Sequence, residues 1–431
     1  MKRILYFILL FTATASNAQV AREEIKQNPL FAASNYVAYY GPTKELTPAP
    51  KGYKPYYISH YGRHGSRYQI SPMDYDMPVR ILGRADSLGM LTDKGKEVLE
   101  ICKVLKNESN KRLGELTQRG AEQHQQIAHR MYERFPEVFA GRTNIDAKST
   151  VVIRCILSME NALQELCKLN PQLQIRHDAS EHDMWYMNFS DSKLKELRNA
   201  GSNSEQYKEF MKRHSNADRL MTVLFNNQQY IKDNVMGGWL MDKLFDLASN
   251  IQSCESRHQM ELFSLFTDEE RYEQWQKSNV YWYVNYANSP LSGGVQQYSQ
   301  RNLLRQMIRE ADSCLVMPHP GATLRYGHEV CVMPLACLLD LNGYGASIED
   351  LEQLDDRGWN NYRIFPMGCN IQIIFYTNSR PNALPKSADV LVKVLLNEDE
   401  ATLPIKPVQG CYYRWTDFRK YCLDKLDKYK E

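Results

Sequence analysis

Short strand-like segments and longer helical segments alternate near both ends of the chain, whereas the middle of the chain is helical throughout. Before the middle block, apolar runs at 53–62 and 147–154 are typical of buried strands, and the spacing of apolar residues predicts helices over 78–106 and 116–136. Residues 178–300 contain helical segments and few candidates for strands. Beyond them, strand-like and helical segments return at 312–319, 330–341, 368–377 and 389–397.

This alternation predicts the α/β fold class and a division of the chain. Residues 19–177 and 301–431 are expected to form an α/β core, and residues 178–300 an all-helical cap domain inserted into it. A chain of 431 residues is long enough to bury a sizeable core of this kind. Thr92 and Thr117 stand where two of the N-terminal helices would have their N-caps.

The first 18 residues have the pattern of a secretory signal peptide, with cleavage expected before Gln19. Basic residues 2–3 precede an apolar stretch over 4–13 and a small-residue site at 16–18. A membrane anchor would need about 18 or more apolar residues, so this stretch is too short for one. We expect an exported protein, in the periplasm or outside the cell, with no integral membrane segment after removal of the signal peptide.

Charge and cysteine content exclude several classes of function. The sequence has 53 basic and 51 acidic residues, and loss of the two basic residues in the signal peptide leaves 51 of each. This balance argues against nucleic acid as a partner, so any affinity for anions must come from a local cluster. The ten cysteines contain no CxxC pair, so a structural zinc site is not expected. Cys331 and Cys337 are expected in the core, and any disulfide is expected between Cys411 and Cys422.

Two arginines bracket a histidine directly after the first predicted strand, at Arg63, His64, Gly65 and Arg67. An arginine guanidinium matches phosphate oxygens with two parallel donors and stays charged at any working pH. Two such groups also disfavour a protonated imidazole, which leaves His64 as a neutral nucleophile. Gly65 carries no side chain that could obstruct an anion. The pattern indicates phosphate chemistry; the alternative is a surface turn with ordinary basic residues.

These residues resemble the signature of the histidine acid phosphatases, the branch of the histidine phosphatase superfamily that includes phytases. The segment AKSTVVIRCILSM (147–159) is similar to the family's second phosphate-contacting segment and places Arg154 at the end of a strand. In LRYGHEVCVMPL (324–335), His328 and Glu329 fall where the family carries its C-terminal histidine and acid. The resemblance implies a central mixed sheet flanked by helices, with the helical cap inserted between the second and third segments.

Within this family the sequence is most similar to the multiple inositol polyphosphate phosphatases. The similar stretches are 39–68, LTQRG (116–120) and DVLVKVLLNEDEATLP (389–404). That branch usually has His-Ala-Glu at the C-terminal motif and other acid phosphatases of the family have His-Asp, whereas this chain has His328-Glu329-Val330. Either Glu329 serves from the position of the aspartate with one extra methylene, or the proton donor is displaced.

The resemblance also implies a role for each candidate residue. His64 attacks the phosphorus of a phosphomonoester and forms a phosphohistidine, and Glu329 protonates the departing alkoxide. The equatorial phosphate oxygens are held by four side chains: Arg63, Arg67, Arg154 and His328. No metal and no other cofactor is expected. The implied partner is a phosphorylated small molecule, with inositol phosphates favoured.

Two other functions stay open at the level of the sequence. One is a phosphatase of the same chemistry that acts on other phosphomonoesters such as sugar phosphates. The other is a phosphate- or phytate-binding protein with weakened turnover, an interpretation that the departure at Glu329 motivates. Retention of a nucleophile that a pure binding protein does not need argues against the second.

Several further polar residues are weaker candidates. His60 is expected to be a packed histidine, and His124 and His129 are expected on a solvated face of a helix. Basic residues between 103 and 112 could contact outer phosphates of a substrate, although a solvated face is the favoured interpretation. These residues are Lys103, Lys106, Lys111 and Arg112.

Overall fold

The structure is a computed structural model that describes residues 20–379 and 384–429. The predicted signal peptide lies outside the described residues, so it stays a prediction. Within the described ranges, none of the helices combines the length and the apolar character that a membrane span requires.

A mixed β-sheet runs through the molecule, with strand order β3-β2-β4-β1-β5-β6-β7 and β8 paired to β6. Its first four strands in that order are mutually parallel, whereas β5 is antiparallel to β1 and to β6. The predicted mixed sheet flanked by helices is confirmed. The strands are β1 Lys54–Arg63, β2 Asn144–Ser149, β3 Gln174–Ala179, β4 Gly321–Gly327, β5 Asn370–Thr377, β6 Leu391–Leu396, β7 Asp399–Glu400 and β8 Tyr413–Arg414.

Helices cover both faces of the sheet and make up most of the chain between β3 and β4. The α-helices are α1 Val20–Gln27, α2 Pro72–Ser87, α3 Asp93–Glu108, α4 Gln118–Arg134, α5 Ile153–Leu169, α6 Met184–Met187, α7 Ser192–Ser202, α8 Glu205–Arg213, α9 Asp218–Leu224, α10 Gln228–Asn234, α11 Gly237–Ile251, α12 Asp268–Tyr286, α13 Arg301–Cys314, α14 Glu329–Leu338, α15 Asn361–Ile364 and α16 Trp415–Lys428.

Capping side chains set the starts of the N-terminal helices. The side chain of Thr92 accepts a hydrogen bond from Gly95 N at the start of α3, and that of Thr117 accepts one from Gly120 N at the start of α4. Such caps satisfy backbone N–H groups that have no partner within the helix. Both predicted caps are therefore confirmed.

The two faces of the sheet pack against different apolar clusters. Along β1, Tyr57 and Tyr61 contribute to one cluster and Ile58 to another, as the alternation of side chains along a strand requires. The first cluster includes side chains of α12, α13, α14 and α16, and the second includes side chains of α4 and α5. A third cluster is helical and joins α2 and α3 to α9 and α11. The predicted domain limits at 178 and 300 stay a prediction.

The last third of the chain differs in part from the pattern read in its sequence. Residues 312–319 form the end of α13 and a loop, and the apolar run at 330–338 belongs to the buried helix α14. The strand between them, β4, was not recognised, because its seven residues carry a buried charge instead of a continuous apolar run. That charge is Arg325, which pairs with Glu310 and donates to the carbonyl of His60 at 3.1 Å.

The predicted strand at 147–154 is wrong in its second half. β2 ends at Ser149, and Arg154 lies in the first turn of α5. The β-branched residues Val151 and Ile153 suggested a strand, but both are exposed. Apolar positions at helical spacing from Cys155 onward are buried instead, so residues 153 and 154 belong to a helix rather than to the strand.

The expected disulfide between Cys411 and Cys422 is absent from the described residues, where both are free thiols. Cys422 is buried on the inner face of α16 in the first cluster. Cys411 lies in a loop near Glu400 and Lys393. The two side chains therefore belong to different surroundings. Cys331 and Cys337 are buried in α14, as predicted.

Two histidines outside the predicted site pack in the core. His60 and His124 lie against the ring of Tyr326, at centroid distances of 5.2 and 5.5 Å. His60 is packed as expected, but the expectation that His124 is solvated is wrong, because it faces the sheet from α4. Burial lowers the pKa of His60 to about 3 and that of His124 to about 4. Both imidazoles are therefore neutral in the folded protein near neutral pH.

The close approach of α4 to residues 65–67 gives a first test of the packing. A Cβ on Gly120 would lie 2.2 Å from the backbone oxygen of Ser66, whereas a Cβ on Gly83 in α2 would meet nothing within 4 Å. Gly120→Ala is therefore expected to lower the free energy of unfolding by about 1–3 kcal/mol. The matched control Gly83→Ala should raise it by up to about 1 kcal/mol, since alanine favours a helix. Urea unfolding followed by circular dichroism measures both, and equal effects would contradict the close approach.

The buried histidines predict how stability depends on pH. Because their pKa values are lowered on folding, the unfolded chain binds more protons below pH 6.5, and stability falls as the pH drops from about 6.5 towards 4. Each such histidine contributes at most about 1.4 kcal/mol per pH unit. His124→Gln is expected to reduce this loss between pH 7 and 5, as urea midpoints at each pH would show. His129→Gln is the contrasting control: Glu165 raises the pKa of the half-buried His129, so removal of this side chain should not reduce the loss. A slope unchanged in His124→Gln would show that this side chain is not buried as a neutral group.

Candidate active site

The ends of two neighbouring parallel strands bring the predicted residues together. In the register of β1 and β4, Arg63 is paired with Gly327, so His64 and His328 follow at the same edge of the sheet. Their ring centroids lie 5.8 Å apart. Carboxyl ends of adjacent parallel strands are where open α/β sheets commonly bind ligands.

Backbone hydrogen bonds hold the turn after β1 on three sides. The N–H of His64 donates to Gly327 O at 2.9 Å, and the N–H of Gly368 donates to His64 O at 3.0 Å. The N–H of Gly65 donates to the hydroxyl of Ser158 in α5 at 3.1 Å. A Cβ on Gly65 would lie 2.3 Å from Gly120 O, so this glycine permits close packing against α4. The structure therefore gives close packing against α4, rather than the expected open access for an anion, as the reason for a glycine at this position.

His64 is buried and its tautomer is defined by one contact. Nδ1 lies 2.9 Å from the carbonyl oxygen of Gly65, which can only accept, so Nδ1 carries the hydrogen and donates it. Nε2 then holds the lone pair, and it has no hydrogen-bond partner among the described residues. Burial, followed by the nearby charges of Arg63, Arg154 and Arg67, lowers the pKa of His64 well below 6.5. The side chain is a neutral imidazole with a free nitrogen.

Arg63 and Arg67 are both held in place by backbone carbonyls. Nη1 of Arg63 donates to Asn35 O at 2.6 Å and to Phe365 O at 3.1 Å, and Nη1 of Arg67 donates to Tyr68 O at 2.8 Å. These contacts use one end of each guanidinium. At the other end, Nη2 of Arg63 and Nε of Arg67 are buried without a hydrogen-bond acceptor among the described residues.

Arg154 completes the basic cluster from the first turn of α5. It is half-buried, and its Nε likewise has no acceptor within the described part of the chain. Burial is the largest cause that lowers its pKa, and the charges of Arg67 and Arg63 act in the same direction. Buried donors without acceptors are costly, about 1–3 kcal/mol each. Three guanidiniums with such donors form a site suited to an anion with several oxygens.

Glu329 lies among these charges at the first position of α14. Its Oε2 is 3.0 Å from Nε of Arg63 and 3.6 Å from Nε2 of His64. Burial opposes ionisation, but the charges of Arg63 and Arg67 outweigh it and lower the pKa of Glu329 to about 2. Glu329 is therefore a carboxylate near neutral pH in the ligand-free protein.

His328 is positioned by residues that the sequence analysis did not single out. Its Nε2 lies 3.2 Å from the hydroxyl of Thr150, and Sγ of Cys155 lies 3.8 Å from both ring nitrogens. Burial is the main cause that lowers the pKa of His328 to about 4, so this ring is also neutral. Thr150 and Cys155 lie in the same segment as Arg154, residues 147–159. Their closeness to that predicted residue is the one feature of the sequence that could have indicated a role in the site.

The structure brings together all six predicted site residues. They are Arg63, His64, Arg67, Arg154, His328 and Glu329. The basic run at 103–112 is not part of this cluster: Lys103 pairs with Glu100, and Arg112 stacks on the ring of Tyr68.

Three of these residues also have the geometry of a metal site. Single ligand atoms of His64, His328 and Glu329 lie within 4.8 Å of one another. The surrounding guanidiniums repel a cation and attract an anion, so the electrostatics favour a phosphate group at this position. The expectation that no metal is needed stays a prediction.

Solved structures with a similar fold include inositol polyphosphate phosphatases and phytases. A multiple inositol polyphosphate phosphatase from Bifidobacterium longum, in complex with inositol hexasulfate, has a TM-score of 0.72 at 17% identity, over 89% of this chain and 96% of that one. The phytase from D. castellii has a TM-score of 0.64 at 13% identity, over 92% and 84%. Hafnia alvei phytase in complex with tartrate has a TM-score of 0.52 at 13% identity, over 88% and 98%. At these identities the likeness shows the fold.

Sequence comparison shows the family. No curated protein sequence matches the chain significantly. The sequence profile described as "Histidine phosphatase superfamily (branch 2)" matches residues 62–397, a range that begins one residue before Arg63 and includes all six clustered residues. The chain therefore belongs to branch 2 of the histidine phosphatase superfamily, the branch of the histidine acid phosphatases.

Proposed function

We propose that this protein is an exported phosphatase that removes phosphate groups from inositol polyphosphates through a phosphohistidine intermediate. The observation that carries the proposal is the free Nε2 of His64, buried without a partner among the described residues and surrounded by three guanidiniums. Phosphomonoesterase activity follows from the family. The inositol substrate is supported by the fold shared with a multiple inositol polyphosphate phosphatase and with phytases, and export by the N-terminal sequence.

Binding begins with the donors that have no acceptor in the ligand-free protein. A phosphate group that enters beside His64 accepts hydrogen bonds from Arg63, Arg67 and Arg154. Arg63 exchanges its ion pair with Glu329 for the phosphate oxygens in this step. The guanidiniums then face the oxygens on which charge develops during transfer.

Transfer forms a bond between Nε2 of His64 and phosphorus, while the bond from phosphorus to the substrate oxygen breaks. The imidazole becomes positively charged, and its Nδ1–H already donates to the carbonyl of Gly65 at 2.9 Å. That hydrogen bond strengthens as the charge forms, so it stabilises the transition state more than the ground state.

The departing alkoxide needs a proton, and Glu329 supplies it in our proposal. With a pKa of about 2 it is ionised in the ligand-free protein, so it must gain a proton when substrate binds. A phosphate dianion neutralises the guanidiniums and repels the carboxylate, and both effects raise the pKa of Glu329. After donation, the carboxylate takes a proton from the water that attacks phosphorus and releases His64.

Loss of the nucleophile tests the covalent route. His64→Ala is expected to lower phosphate release from inositol hexakisphosphate by at least about 10³-fold, because no other described residue offers a free nucleophilic nitrogen in the site. Wild type mixed rapidly with ³²P-labelled substrate and quenched in alkali should carry a protein-bound label that acid removes. His129→Gln, which changes a half-buried histidine outside the site, should keep both activity and label. Release that survives chelation of divalent metals agrees with the mechanism, and an unlabelled active enzyme would contradict it.

The acid is tested by comparing leaving groups. Glu329→Gln cannot donate a proton, so kcat on inositol hexakisphosphate should fall by about 10²–10⁴-fold. The loss on an aryl phosphate should be at least tenfold smaller, because a phenolate leaves with little protonation. Inorganic phosphate should inhibit this variant more strongly than wild type, since Arg63 no longer pairs with a carboxylate. Equal losses on both substrates would show that the proton comes from another group.

A further inference from the structure

A cavity lies beside the start of α14, one residue from Glu329. It has a volume of about 410 Å³, within the range of small-molecule sites. One wall is Val330, the residue after Glu329, whose carbonyl accepts a hydrogen bond from Nε2 of Gln300 at 3.1 Å. Other lining residues are Lys195 and Arg198 of α7 and Tyr286 at the end of α12. The cavity therefore adjoins the catalytic group without containing it.

The two cations of this cavity have no acidic partner among the described residues. The guanidinium carbon of Arg198 lies 4.0 Å from the centroid of the Tyr286 ring, which orients the side chain. Nε of Arg198 is buried without a hydrogen-bond acceptor within the described ranges. Lys195 lies one turn earlier on the same helix and is exposed. Residues three apart on a helix share a face, so both cations can contact one ligand.

The acid among the described lining residues, Asp191, is already occupied. Its Oδ2 lies 2.8 Å from Nη2 of Arg301, and its Oδ1 accepts the N–H of Leu194 at 3.1 Å as the N-cap of α7. It cannot neutralise Lys195 or Arg198 without giving up these contacts. The cavity thus carries uncompensated positive charge beside the transferred phosphate group.

Tyr286 links the cavity electrostatically to the site. Burial raises the pKa of Tyr286, Arg198 lowers it, and the negative charge of Glu329 contributes to the increase. The side chain on which Arg198 stacks therefore lies within electrostatic range of the proposed proton donor.

We propose that Lys195 and Arg198 bind a second phosphate group of the substrate while His64 attacks the first. This inference rests on the proposed function. It explains how the enzyme would select its substrate, because a ligand that spans both positions must carry at least two phosphate groups on one small molecule. The basic run considered from sequence does not offer such a position, since Lys103 and Lys106 already pair with Glu100 and Asp76.

The experiment compares the double variant Lys195→Gln/Arg198→Gln with wild type on two substrates. On inositol hexakisphosphate, kcat/KM should fall by about 10- to 100-fold, mainly through KM, because charge-assisted hydrogen bonds to a bound phosphate are lost. The loss on an aryl phosphate, which has one phosphate group, should be at least tenfold smaller. Lys193→Gln is the matched control, since this exposed lysine lies on α7 outside the cavity and should keep wild-type kinetics on both substrates. Equal losses on the two substrates, or no loss on either, would overturn the inference.

Calorimetric binding of inositol hexasulfate and of inorganic phosphate separates this inference from the proposed function. The double variant should bind inositol hexasulfate 10- to 100-fold more weakly than wild type, while its affinity for inorganic phosphate changes less than threefold. This pattern would support the cavity even if wild type released no phosphate from an inositol phosphate, in which case only the proposed substrate would fail. Unchanged affinity for inositol hexasulfate would overturn the inference whatever the enzyme hydrolyses.

Discussion

The hydrogen-bonded register between β1 and β4 is the constraint on which the rest of the site depends. Because Arg63 pairs with Gly327, the chain leaves both strands at the same level, and His64 N–H donates to Gly327 O. A Cβ on Gly327 would lie 2.0 Å from the hydroxyl of Tyr61, so a glycine is needed for the strands to end together. The same hydroxyl donates to Met187 O at 2.8 Å and thereby fixes α6 to the sheet. One strand pair thus positions both His64 and the helix α6.

The site concentrates charge that the folded chain only partly neutralises. Arg63, Arg67 and Arg154 surround one carboxylate, and several of their donors are buried without acceptors within the described residues. Such an arrangement costs stability in the ligand-free protein and is relieved when an anion binds. The neighbouring cavity repeats the arrangement on a smaller scale with Arg198 stacked on Tyr286. The proposed affinity for phosphate therefore rests on donors that the fold holds away from acceptors among the described residues.

Local patterns in the sequence were sufficient to locate the cluster of Arg63, His64 and Arg67 and to predict two helix caps. The run from Arg63 to Arg67 is compact, so it could be recognised as a basic cluster without the fold, and Thr92 and Thr117 act on residues three positions away. Arg154 was assigned to the site by resemblance, but its position at a helix start was missed, because Val151 and Ile153 are β-branched residues in an exposed turn.

The features that the sequence did not predict depend on contacts between segments that are distant in the chain. His124 lies on a helix of polar composition, and only its packing against Tyr326 makes it buried. The strand β4 contains Arg325, whose charge is acceptable because Glu310 from α13 pairs with it. Lys195 and Arg198 are recognised as a possible binding site only because the fold places α7 and Val330 around one cavity. The spacing of residues within a single segment does not indicate these contacts between distant segments.

The contact between Nδ1 of His64 and the carbonyl of Gly65 has a further consequence for the chemistry at phosphorus. It leaves Nε2 as the nitrogen open to a phosphoryl group, so the proposed mechanism forms a single positional isomer of phosphohistidine. In that mechanism, attack by the nitrogen and then by water are two in-line displacements at one centre, so two inversions are expected to return the original stereochemistry at phosphorus. Because the acceptor is a main-chain oxygen, this regiochemistry does not depend on any side chain that a substitution could remove.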